Sequence, residues 1–299
     1  MSRLGFFSFL LTTGAVLAGC FAGTGEDGAA PLTDALGRSF SPPAAVERIV
    51  SLAPAVTEIL FAIGAGDRVA GVTAWCNYPP EALDRTKVGG FSGIQVSIEQ
   101  IAALRPDLVI LSADMHGRVA ELLEGLSIPF FAVEPRSFDG LYETVAILGR
   151  LTGCEEGAAE TARTMKEKIA LAAKVTTDVE RPLVYWELSD DPLISVGGGS
   201  FINELITLGG GVNIFGDLDQ DWPPVSAEQI MVRRPGWIFT GDDHGAGADS
   251  FARRPGWDDI PAVKEGYIAV VRADVFYRYG PRLADAVLEI ARILHGERP

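Results

Sequence analysis

Histidine and cysteine are both scarce, at three residues each in a chain of 299. So few histidines cannot build the clustered His-Glu ligand set of a zinc hydrolase, and no G-x-S-x-G nucleophile turn is present. An enzyme would need nucleophile, base and orienting group in one place, and the sequence offers no such grouping. Cys20, Cys76 and Cys154 fix no disulfide framework, and a bridge between the last two stays open in an oxidising compartment. Positive charge is short as well. With 25 Lys and Arg against 40 Asp and Glu, the net charge of −15 lacks the basic footprint that nucleic acid requires. Long apolar runs are also missing, since a bilayer-spanning helix needs about 20 such residues.

What the front of the chain does have is a basic start, an apolar stretch from Leu4 to Ala18, and small residues after it. That arrangement reads as a secretory signal, residues 1–19, to be left out of the fold. Leu17-Ala18-Gly19-Cys20 is similar to a bacterial lipobox, which makes Cys20 the expected lipid-bearing first residue. Stable anchoring takes more than one acyl chain, each buried methylene contributing about 0.8 kcal/mol. Residues 20–30 are small and polar, as suits a flexible tether.

Beyond the tether, short apolar runs alternate with helical stretches over short connections, the pattern of parallel strands covered by helices on both faces. One long helix interrupts it: Ala158, Ala162, Met165, Ile169 and Ala172 recur at spacings of 4, 3, 4 and 3 from Glu155 onward. The expected fold is α/β, two Rossmann-like lobes with parallel central sheets joined by that helix. Residues 31–154 form the N-terminal lobe, 155–178 the bridge and 179–299 the C-terminal lobe. The lobes share a segment. VSIEQIAALRPDLVILSADMHG from Val96 to Gly117 matches VSAEQIMVRRPGWIFTGDDHG from Val225 to Gly245 with a single gap. Shared Ser-x-Glu-Gln-Ile and Arg-Pro at matched spacing exceed what an amphipathic helix and a buried strand require, and point to internal duplication.

Several stretches stand together as landmarks: RIVSLAPAVTEILFAIG, TAWCNYPPEA, KVGGFSG, IAALRPDLVI, GGGSFINELITLGGGVNIF, WPPVSAEQI and GPRLADAVLEIARIL. In that order they resemble the class III periplasmic substrate-binding proteins of ABC importers, which take up cobalamin, haem and iron-siderophores. TAWCNYPPEA and Trp222-Pro223-Pro224-Val225-Ser226 look most like the cobalamin-binding members. The resemblance implies two lobes bridged by a rigid helix, a ligand in the cleft between them, and no cofactor. It also implies docking of Glu99 and Glu228, one per lobe, on arginines of a dimeric permease that works with a cytoplasmic ATPase. A two-fold partner presents one patch twice, so a monomer docking on it needs like charges at pseudo-equivalent places. Each glutamate also falls in a first helical turn behind Ser97 or Ser226, where the helix dipole alone favours an acid.

Ligands of open parallel sheets lie beyond the carboxyl ends of the strands. The aromatics of those loops are therefore the candidate contacts. By match to the cobalamin-binding members they are Trp75, Tyr78, Phe91, Trp222, Phe276, Tyr277 and Tyr279, with Arg282 as the polar contact. Phe91 stands where some relatives carry Trp. The Tyr277/Tyr279 pair keeps haem open as the alternative ligand, since tyrosine ligates ferric iron; a ferric siderophore is the other. His116 and His244 lie in similar loops beside aspartates, yet they are too few and too widely spaced to make a metal site the expected reading. Gly197-Gly198-Gly199-Ser200 precedes a helix without a Walker lysine, so Ser200 is read as an N-cap and not as part of a nucleotide site.

Overall fold

The computed structural model describes residues 31–41, 45–90, 92–244 and 247–296. The expected signal segment, Cys20 and Phe91 lie outside the described residues.

The first half opens on a small hairpin, β1 (Leu32–Thr33) and β2 (Ser39–Phe40). It continues with β3 (Ile49–Ser51), α1 (Pro54–Ala62), β4 (Val69–Val72), β5 (Thr86–Lys87), α2 (Ile98–Leu104) and β6 (Leu108–Ser112). Then come α3 (Gly117–Gly125), β7 (Phe130–Val133) and α4 (Phe138–Thr152). Strands β3 to β7 make one parallel sheet in the order β5-β4-β3-β6-β7. After α5 (Glu155–Val175) the second half runs β8 (Leu183–Asp190), β9 (Leu193–Ser195), α6 (Phe201–Leu208), β10 (Val212–Asn213), α7 (Ala227–Arg233) and β11 (Trp237–Gly241). It closes with α8 (Ala248–Ala252), α9 (Pro261–Lys264), β12 (Ile268–Val271), α10 (Ala273–Phe276) and α11 (Leu283–His295). Its parallel sheet has the order β10-β8-β11-β12, with β9 antiparallel on β8.

Leaving β5 and β9 aside, each sheet runs second, first, third, fourth in chain order. The matched segments are α2 with β6 and α7 with β11, the same step in each half. Topology therefore repeats along with sequence.

Both sheets are buried on both faces, as parallel sheets are. Alternate residues serve different cores: Val50, Val109 and Leu111 face the outer helices of the first half, while Ile49, Leu108 and Ile110 face inward. In the second half Tyr185 and Ile238 face outward, and Trp186 and Phe239 inward. The inward faces belong to one continuous core that also takes in Ala158, Met165 and Ala172 of α5. This helix packs on α1 and α4 on one side and on α6 and α11 on the other. Its small-residue stripe explains how it fits between two layers.

Helix α1 starts at Pro54, since proline is well suited to a first turn where its missing N–H costs nothing. Two local expectations change. Helix α5 ends at Val175 with Thr176 as its cap, short of residue 178. The segment after β12 is not a loop from its start: Ala273–Phe276 forms α10 and turns Phe276 inward.

Candidate functional site

Ser97 caps α2 and Ser226 caps α7, each hydroxyl accepting from the backbone N–H of Gln100 or Gln229. Glu99 and Glu228 follow two residues on, both exposed. Hydrogen bonds from the backbone N–H of each glutamate, and then from its capping serine, hold both carboxyls below their ordinary value. The two acids thus occupy one local geometry, once per half. At the second site Gln229 also accepts from Ser226 N–H, completing a capping box.

The candidate contacts separate into three groups. Trp75, Tyr78 and Trp222 stay open to solvent at 59%, 41% and 44%, a high exposure for side chains of this size. Trp75 and Tyr78 follow β4, and Trp222 lies on the arm between β10 and α7, which reaches back to β9 through the Ile194–Pro224 bridge. Three glycines make room for that arm. A Cβ on Gly197 would sit 2.0 Å from the Gln220 carbonyl, and one on Gly198 2.5 Å from that of Gly216. The glycine-rich turn therefore seats the Trp222 arm, and Ser200 caps α6 by accepting from Ile202 N–H.

Tyr279 forms the second group with Phe201, whose ring lies 4.4 Å from it and 6.0 Å from Trp222. Phe201 is a further candidate contact, one that the sequence reading missed. Its signal was its place, directly after the Ser200 cap. Arg136, Glu134, Glu204 and Asp221 act on the Tyr279 phenol, which burial pushes up. Glu204 of α6 also accepts from Phe138 N–H at 3.2 Å, joining α6 to the start of α4 across the two halves.

The third group is engaged by the protein's own residues. Phe276 is wholly buried with its ring 5.8 Å from that of Trp186, so it is a core residue and not a contact. Tyr277 accepts a hydrogen bond from Trp186 Nε1 at 3.2 Å, and burial pushes its phenol up. Arg282 is not a free polar contact either. Its guanidinium makes a two-point pair with Glu58 of α1, at 2.8 and 2.6 Å, and lies 4.0 Å from the Tyr78 ring centroid.

Both described cysteines are free. Cys76 is buried where Thr57 and Thr73 reach its sulfur, and Cys154 precedes α5 beside Arg68. His116 is also buried, its Nδ1 accepting from Ser112 N–H ahead of α3. Among the described residues no group of three or more His, Cys, Asp or Glu could hold a metal ion.

Two sheets of like topology, one helix between them, and exposed aromatics in loops of both halves define a two-lobed binding protein. Comparisons agree. Residues 49–275 match the model of the periplasmic binding protein family. The vitamin B12-binding protein of Vibrio parahaemolyticus is 31% identical, over 82% of this chain and 88% of its own length. The ABC transporter substrate-binding lipoprotein YvrC of Bacillus subtilis is also 31% identical, over 98% of this chain and 97% of its own. The crystal structure of the periplasmic vitamin B12 binding protein BtuF of Vibrio cholerae is 29% identical. It superposes with a TM-score of 0.71, covering 84% of this chain and 98% of that one. The chain belongs to the periplasmic binding protein family, and it is a substrate-binding protein of the kind that serves ABC importers.

Proposed function

We propose that this protein captures a corrinoid of the cobalamin type between its two halves and delivers it to a dimeric ABC permease driven by a cytoplasmic ATPase. A lipid on Cys20 would hold it at the extracytoplasmic face of a membrane, with residues 20–30 as the tether and residues 1–19 removed. YvrC, similar over almost its whole length, is itself named a lipoprotein.

The observation that carries the ligand reading is the exposure of Trp75, Tyr78 and Trp222 in loops of both halves. A corrin presents broad, weakly polar faces, and aromatic surfaces supply contact for them at little entropic cost. Tyr279 extends the same set through its packing on Phe201, and Phe91 is proposed as a contact from its place in the sequence alone. Nanomolar capture needs about 12 kcal/mol, more than a few ring contacts provide, so burial between both halves contributes most of it. Haem is the weaker reading. Ferric haem iron takes a tyrosine oxygen, and that of Tyr277 already accepts from Trp186 Nε1 while the Tyr279 ring packs on Phe201.

Glu99 and Glu228 serve as the docking handles. Exposed ion pairs govern orientation and encounter rate more than affinity, which suits a carrier that must let go.

The test is a titration of the mature protein with cyanocobalamin, hemin and a ferric siderophore, followed by tryptophan quenching. Saturation by cyanocobalamin at submicromolar concentration supports the proposal. Preference for hemin moves the protein to haem capture, and no response to any of the three at micromolar concentration removes this class of ligand.

A further inference from the structure

Glu58 lies on α1 in the first half, but its charged partners come from the second. Arg282, just before α11, donates Nε to Oε2 at 2.8 Å and Nη2 to Oε1 at 2.6 Å. Arg278 brings Nη1 to 3.6 Å of the same carboxylate and donates to Asn77 Oδ1 at 2.6 Å, a second bond between the halves. Asp274 stands 3.5 Å from Arg282 and 4.0 Å from Arg278 on the far side. The loop carrying both arginines hugs the acid: a Cβ on Gly280 would approach Glu58 Oε2 to 3.0 Å.

The carboxylate and the two guanidiniums are largely out of water, whereas Asp274 and Asn77 reach solvent. The Glu58 side chain is 2% exposed, and those of Arg278 and Arg282 15% and 16%. A two-point guanidinium–carboxylate pair is satisfied in one relative placement only. Pulling the halves apart here would strand a buried charge, which is strongly unfavourable. On its outer side the Arg282 guanidinium supports the Tyr78 ring at 4.0 Å, while Tyr279 lies between the two arginines in the chain and Tyr277 directly before them.

We propose that Glu58 is a positioning residue for ligand capture. Through Arg282 and Arg278 it fixes the separation of the halves and sets Tyr78 against the ligand before the ligand arrives. It touches no ligand itself. A site preset in this way loses less ordering freedom on binding, and its apparent affinity is undiminished by unproductive arrangements. The identity of the ligand rests on the function proposed above; the clasp between the halves does not.

The test compares Glu58→Gln, which keeps the shape but removes the charge, with Arg282→Lys, which keeps the charge but loses the fork. Cyanocobalamin affinity is measured well below each unfolding midpoint, in the wild-type and the Tyr78→Ala backgrounds. We expect each variant to bind about tenfold or more weakly in the wild-type background, and Glu58→Gln to add less than about twofold once Tyr78 is gone. Full additivity with Tyr78→Ala, or wild-type affinity in both variants, overturns the proposal. Should Glu58→Gln fail to fold, Asn77→Ala takes its place, with a smaller loss and the same non-additivity expected. Hydrogen exchange of the ligand-free protein provides an arm that needs no chelate. Faster exchange at both 76–79 and 277–283 in Glu58→Gln supports the clasp, and unchanged exchange refutes it. A wild-type protein that binds none of the three chelates sinks the capture reading and leaves this arm standing.

Discussion

Arg105 and Arg234 share one backbone conformation, φ 48° and ψ 59°, each closing a seven-residue helix and each followed by proline. The left-handed region suits glycine at the end of a helix and is costly for a residue with a Cβ. Replacing either arginine by glycine is expected to stabilise the fold by about 0.5–1 kcal/mol, after subtracting the added freedom of glycine in the unfolded chain. Urea unfolding measures it: the midpoint should rise with the slope unchanged. A fall in both variants would mean that the arginine side chains contribute more than their backbone costs.

Glu99 and Glu228 should titrate alike and low. Backbone and serine hydrogen bonds favour the charged form of each, so both midpoints are expected below 4.5. A depressed folded value means that their stabilising contribution is present above the unfolded value and is lost as pH falls through the folded one. Both handles therefore stay ionised from neutral pH down to about 5, and docking should not weaken over that range. Carbon-detected NMR of the two carboxyls checks the midpoints. Reversing both to arginine should abolish chelate uptake by cells while leaving capture by the purified protein intact.

Burial acts in the opposite sense at Glu58. Desolvation raises its carboxyl above the ordinary 4.5, with the Arg282 hydrogen bonds and the charges of Arg282 and Arg278 pulling against it. The folded protein then holds this proton more tightly than the unfolded chain does. Its contribution is fully present below the unfolded value and is lost as pH rises through the raised one. Glu58→Gln should flatten that part of the stability profile, measured by chemical unfolding as pH is raised from below the ordinary carboxylate value to neutral. Glu58→Ala should cost about 3–5 kcal/mol, because it removes the two-point partner of the largely buried Arg282 guanidinium.

Capture and folding should come apart at the aromatics. Trp222→Ala is expected to weaken chelate binding while costing no more than about 1 kcal/mol of stability, since much of the ring is in solvent. Phe276→Ala should do the reverse in kind, destabilising by about 3–5 kcal/mol because the ring is fully packed against Trp186. Paired unfolding curves and binding isotherms for the two variants distinguish them.

The two halves, their parallel sheets and the course of α5 were legible in the sequence because each rests on a local period: apolar runs of strand length, or a stripe at helical spacing. The duplicated Ser-x-Glu-Gln-Ile and Arg-Pro mark one of the steps that both sheets share. What escaped was either short or distant. Helix α10 has four residues, too few to show a period, so Phe276 was placed in a loop. Helices α8 and α9 and strand β9 escaped for the same reason. The Glu58–Arg282 pair joins positions 224 apart, beyond the reach of any local pattern, and Arg282 was accordingly assigned to the ligand. Phe201 reads only as the first residue of the helix behind the Ser200 cap, a place that sets its ring beside Tyr279 and Trp222.

The most direct test of the account is a crystal structure of the mature protein grown with cyanocobalamin. The account predicts one corrin ring seated between the halves, in contact with Trp75 and Trp222 from opposite sides and with the Glu58–Arg282 pair unbroken. A chelate bound on the outer face of one half, or rings of the two halves left untouched, would contradict it.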